Sequence, residues 1–129
     1  MRDDIHTFKK VIKIIPMGKP RMTQRDKWQK RPCVLRYRAF KDELRAQVGP
    51  LPIDPFYVRF MAFFPMPKSW SKKKKKEMTG KLHRSKPDID NICKAILDTI
   101  LKDDSKIGWV EMSKHWDDGS GPRIILEIQ

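Results

Sequence analysis

Residues 56–64, FYVRFMAFF, restrict the fold of this chain more than any other stretch. As a strand they place Phe56, Val58, Phe60, Ala62 and Phe64 on one face, and the other face is also mostly apolar apart from Arg59. A strand apolar on both sides belongs in the middle of a sheet covered by helices, since any open position leaves large side chains in water. Pro65 and Pro67 end it, because proline cannot donate to a ladder. The longest unbroken apolar run, residues 60–64, is five residues long, whereas a membrane span needs about 20. A transmembrane protein is therefore excluded. The chain has 129 residues, ample for one domain over 1–129 and short for two.

The neighbouring segments supply partners for that strand. Residues 5–15, IHTFKKVIKII, are rich in β-branched residues and read as a first strand, closed by the punctuated segment PMGKPR at 16–21. Residues 34–48 follow a helical period with Leu35, Ala39, Leu44 and Val48 as the apolar stripe, and Gly49-Pro50 stops them. Ser69 or Ser71 can cap a short helix reaching Met78, and 79–87 read as a loop. Residues 88–101, DIDNICKAILDTIL, are the clearest helix. Ile89, Ile92 or Cys93, Ile96 and Ile100 recur every three or four residues, and Asp88 stands at the N-cap after Pro87. Residues 107–116 and 123–129 read as strands around the turn 117–122, the last with Ile124, Leu126 and Ile128 on one face. The expected class is α+β, a single domain with a small mixed sheet and helices in the order β-α-β-α-α-β-β.

Charge is placed unevenly. Lys and Arg number 29 against 16 Asp and Glu, a net of +13. Residues 1–53 carry +9 and residues 54–87 carry +8, while residues 88–129 carry −4. A positive surface attracts a polyanion by phosphate contact and counterion release, and nucleic acid is the usual one. With 12 aromatics the chain has too many large side chains for a disordered basic tail. Candidate DNA contacts are Lys19 and Arg21 in the first loop, the run Lys72, Lys73, Lys74, Lys75 and Lys76, and Arg84 with Lys86 before the clearest helix. Trp28 and Trp70, each among cations, suit base stacking or structural anchoring.

The acidic last third needs its own explanation, because carboxylates beside a phosphate path repel it unless a cation stands between. Cutting a phosphodiester requires a nucleophilic water and stabilisation of charge on the phosphoryl and leaving oxygens. Hard divalent cations held by a few carboxylates supply these. The sequence offers Asp88 and Asp90 at a helix start, Lys94 one turn beyond Asp90, and Asp103-Asp104 just after the helix. Each has a plain structural alternative: an N-cap, an exposed ion pair, a turn. Together, inside a chain of net +13, they favour a site.

The stretch Lys86-Pro87-Asp88-Ile89-Asp90-Asn91, followed by Lys94-Ala95, Leu97-Asp98 and Lys102-Asp103-Asp104-Ser105-Lys106-Ile107, resembles the signature of the RusA family of Holliday-junction resolvases. These are small Mg²⁺-dependent DNA endonucleases common in phages and prophages. The loop Gly18-Lys19-Pro20-Arg21 is similar too, while residues 22–85 match only in layout. The resemblance implies that Asp88, Asp90 and Asp104 bind the metal, Mg²⁺ with Mn²⁺ as a substitute. It implies that Lys94 is the catalytic lysine, placing positive charge by the scissile phosphate. It also implies a homodimer acting on branched DNA, a four-way junction. Asp103 has no assigned role, and Asn91 is expected to hold the loop or support the ligands.

Other conspicuous residues read as structural. His6, His83 and His115 lack ligand spacing; His6 and His115 fall in strands, and His83, in the basic loop, is an open candidate for phosphate contact. Cys93 lies near an apolar stripe and reads as a small core residue. Cys33 and Cys93 form no C-x-x-C, and the first 15 residues have no apolar signal core, so a reducing cytosol fits best; the resemblance implies a bacterial or phage-encoded setting. The expected function is a Mg²⁺-dependent endodeoxyribonuclease resolving four-way junctions in recombination and repair. The alternatives are a non-catalytic basic nucleic-acid-binding protein and a metal-dependent nuclease of broader branched-DNA preference.

Overall fold

The computed structural model describes residues 7–23, 25 and 31–129. His6, Lys27, Trp28 and Lys30 lie outside them. The elements are β1 (Phe8–Ile12), α1 (Pro32–Val48), β2 (Tyr57–Phe64), α2 (Lys72–Met78), α3 (Ile89–Ile100), a 3-10 turn (Asp104–Lys106), β3 (Trp109–Trp116) and β4 (Arg123–Ile128). This is the expected α+β order. The sheet runs β1-β4-β2-β3, with β2 and β3 parallel and the other pairs antiparallel. The parallel pair follows from its connection, which carries α2 and α3, because parallel neighbours need a long crossover. No helix among the described residues is long and apolar enough to cross a membrane.

One core joins the sheet to α1 and α3. Val58, Phe60, Ala62 and Phe64 of β2, Ile124, Leu126 and Ile128 of β4, and Ile12 of β1 meet Tyr37, Phe40, Leu44 and Val48 of α1 and Ile92, Ala95 and Ile96 of α3. At α1's end, Gly49 adopts φ 68°, a left-handed conformation glycine tolerates best, and its N–H donates to the Arg45 carbonyl at 2.8 Å.

Several sequence expectations are corrected. The stripe of α1 is Val34, Tyr37, Phe40, Leu44 and Val48, while Leu35 and Ala39 are exposed. Both phases have helical spacing; the one carrying two aromatic rings removes more apolar area from water and wins. β2 is central as expected, but the helices cover one face only. On the other, Arg59 is exposed, Tyr57 and Met61 are half-buried, and only Phe63 is buried, with the Arg123 guanidinium 4.0 Å from its ring centre. That face is finished by charge instead: Lys9 pairs with Glu127 at 3.2 Å and Arg59 with Glu111 at 3.9 Å. Phe56 lies outside the strand and is exposed. Within the described residues β1 stops at Ile12, short of Ile15.

Candidate functional site

The acidic residues are positioned by what precedes α3. Residues 81–83 run antiparallel beside the edge strand β3: the His83 N–H donates to the Lys114 carbonyl at 3.0 Å, and the Trp116 N–H to the Lys81 carbonyl at 2.9 Å. This pairing brings segment 85–87 to the Lys114 side chain. The ammonium donates to the carbonyl of Ser85 and, at 2.6 Å, to that of Pro87. Asp88 follows immediately. It has N-cap backbone angles, φ −65° and ψ 143°, and its carbonyl accepts from the Asn91 and Ile92 N–H groups. Its carboxylate, however, makes no capping hydrogen bond. Position makes Asp88 a cap, but its side chain is left exposed for other work.

Asp88 and Asp90 line an open concavity of about 610 Å³ with Arg84, Lys86 and Lys114. Lys94 lies one turn along α3, its ammonium 3.7 Å from the Asp90 carboxylate, with both side chains more than half exposed. An exposed pair of this kind contributes only about 0.3–0.5 kcal/mol to the fold. It does not explain itself as a stability device.

The turn after α3 separates the two adjacent acids. The Asp103 carboxylate accepts from the Ser105 N–H at 3.0 Å and the Ser105 hydroxyl at 2.6 Å, and those bonds hold it below the usual carboxylate range. Asp103 therefore caps the 3-10 turn that Asp104 begins. Asp104 makes no side-chain hydrogen bond or ion pair among the described residues. Burial, then the charges of Asp104, Asp90 and Asp98, push the half-buried Cys93 thiol up. A thiol held protonated is a poor nucleophile. Among the described residues, no three His, Cys, Asp or Glu side chains are arranged to hold one metal ion.

The first loop docks on the start of α3. The Lys19 N–H donates to the Asn91 carbonyl at 3.0 Å. A Cβ added at Gly18 would lie 3.1 Å from the Cβ atoms of Asn91 and Pro87, so glycine lets the loop lie flat on the helix start. The Lys19 ammonium donates to Asp98 at 2.7 Å, a bond that raises its pKa. Lys19, Pro20, Arg21, Met22, Asn91 and Lys94 then line a second open concavity of about 530 Å³. The aspartates thus line one basic depression, and Lys94 lines the other. Lys19 is engaged within the protein, and Arg21 is exposed beside it.

The family model for endodeoxyribonuclease RusA matches residues 12–129. The chain belongs to the RusA endodeoxyribonuclease family. No curated protein matches it.

In this RusA-family chain the lysine run is only partly available. Ser71 caps α2, accepting from the Lys74 N–H at 3.1 Å. The Lys74 ammonium lies 4.6 Å from the centre of the Trp70 ring, and Lys75 is half-buried. Trp70 in turn packs edge-on against Trp116 at 4.8 Å, which makes it an anchor of α2. Lys72, Lys73 and Lys76 are exposed, and at about 100° per residue they span one face. Each phosphate contact adds roughly 0.9 to the salt slope of duplex binding. Replacing all five lysines with Gln should therefore lower that slope by about two to three units, with junction preference kept. Affinity measured against salt for both DNAs checks this; an unchanged slope would leave the positive path to Arg21, Arg84 and Lys86.

His83 is a core residue, contrary to the phosphate role open to it in the sequence. It is buried, its ring stacks on Trp116 at 3.9 Å, and its Nδ1 accepts from the Ser85 N–H. Burial, then the Lys114 charge, lower its pKa from the ordinary 6.5. In a His with a lowered folded pKa, the unfolded chain takes up the proton first. Stability should then be full above pH 6.5 and fall as pH drops below it, levelling once the folded pKa is passed. Melting temperatures from pH 7.5 to 5 test this, and the decline should shrink in His83→Gln. An equal decline in both proteins would place its origin elsewhere.

Proposed function

We propose that this chain resolves four-way DNA junctions, hydrolysing phosphodiesters on symmetric strands during recombination and repair, as a homodimer that uses Mg²⁺. The observation that carries the reading is the exposed trio Asp88, Asp90 and Lys94 at the start of α3, the aspartates lining one basic depression and Lys94 the other, in a RusA-family chain. A protein that only bound nucleic acid would gain nothing from carboxylates in that position.

The donor set suits a hard cation. Asp88 and Asp90 offer exposed carboxylate oxygens on one concavity, Asp88 is not engaged in capping, and Mg²⁺ needs few protein ligands beside water and phosphate oxygens. Asp88 and Asp90 would hold it, with Mn²⁺ as a substitute, and Asp104 would have to move in from the turn after α3 to join them, since the three are not gathered round one point among the described residues. When bound, the ion supplies an activated water and offsets phosphoryl charge. Lys94 places a positive charge by the scissile phosphate, where charge develops in the transition state. Arg21, Arg84, Lys86 and the exposed lysines of α2 grip the backbone, and Asn91 holds the first loop against the helix.

A labelled four-way junction and a linear duplex, incubated with the protein with and without Mg²⁺, test the reading. Symmetric Mg²⁺-dependent nicks in the junction alone are expected. Cutting of other branched substrates at equal rate would favour the broader nuclease, and binding without cutting in any divalent ion would favour the non-catalytic binder.

A further inference from the structure

Lys114 stands apart from the other basic residues near the aspartates. It is half-buried, it comes from the edge strand β3 in register with Ala62 of the central strand β2, and its ammonium donates to two main-chain carbonyls, those of Ser85 and Pro87. Its own carbonyl accepts from the His83 N–H, so residue 114 grips segment 83–87 at two places. A lysine serving phosphate would present its donors to solvent. Here at least two of three are satisfied by backbone just ahead of Asp88, inside the concavity that Asp88 and Asp90 line.

We infer that Lys114 is a positioning residue for Asp88: its ammonium clamps the carbonyls on either side of Lys86 and so fixes where the Asp88 carboxylate stands beside Asp90. The inference rests on the proposed role of Asp88. The mechanical basis is that Asp88 has no capping bond of its own to orient it. The sheet is the rigid element in reach, and Lys114 transmits its position to the loop. Groups that hold a ligating residue typically change metal affinity or activity 10- to 100-fold when removed.

The test uses Lys114→Met and Lys114→Gln in the full chain. Junction affinity without divalent ion should stay within about two-fold of wild type. Single-turnover cleavage should fall at least about 10-fold, with the Mg²⁺ midpoint shifted up by a similar factor. Amide hydrogen exchange gives a readout independent of activity. Exchange at Asn91 and Ile92, whose N–H groups donate to the Asp88 carbonyl, should speed up at least 10-fold, while Val58 and Leu126 keep their protection. Lys114→Arg, which retains a cation with several donors, should recover part of both effects. Should the Met protein fail to fold, the Gln and Arg proteins carry the comparison. Unchanged exchange at Asn91 and Ile92 in a folded variant overturns the inference even if the wild type cuts junctions. Faster exchange there, in a protein whose wild type cuts nothing, leaves the clamp standing and overturns the nuclease reading instead. A wild-type rate and Mg²⁺ midpoint despite faster exchange would reduce Lys114 to a loop fastener and also overturn the inference.

Discussion

Asp90→Asn protein is expected to bind a four-way junction at least as tightly as wild type and to leave it uncut. The substitution keeps the shape of the side chain, removes a carboxylate proposed to hold the metal, and removes a negative charge from the edge of a phosphate path. The fold has little to lose. The side chain is 65% exposed, and its contact with Lys94 at 3.7 Å is an exposed pair of a few tenths of a kcal/mol. Loss of cutting therefore cannot be blamed on unfolding, and an unchanged melting temperature confirms this in the same sample. Asp104→Asn should behave alike, since Asp103, not Asp104, caps the turn that carries it. Mg²⁺-dependent cutting retained by both proteins would sink the proposed site.

Lys94→Ala should slow the chemical step by about 10²- to 10³-fold, the effect of removing one preorganised electrostatic stabiliser. The residue is 60% exposed on α3, and alanine is the better helix former, so melting temperature should hold or rise slightly. Junction affinity should fall much less than rate, because Lys94 is one cation among many on a chain of net +13. Single-turnover cleavage at saturating protein separates the two. A wild-type rate would reduce Lys94 to a surface partner of Asp90.

What could be read from the chain were properties that live within one segment. The three-to-four-residue recurrence of Ile92, Ile96 and Ile100 marks α3, and the alternation of Ile124, Leu126 and Ile128 marks β4, because the backbone period alone decides which side chains share a face. The aspartates at the start of α3, Lys94 one turn on, and the reversal from positive to negative charge after residue 87 are equally local. What only the tertiary structure decided were competitions between faces and partners distant in sequence. Two helical phases were open to α1, and the Tyr37–Phe40 phase won by the area it buries against a sheet assembled from residues 8–12, 57–64, 109–116 and 123–128. Both faces of β2 were apolar enough to attract helices, and α1 and α3 cover one. Lys19 met Asp98 from 79 residues away, His83 was drawn under Trp116, and Lys114 took hold of the Ser85 and Pro87 carbonyls. None of these has a spacing to betray it, since a lysine bound for a carbonyl and a lysine bound for a phosphate are written alike; burial and geometry make the difference, and they arise only when the chain is closed.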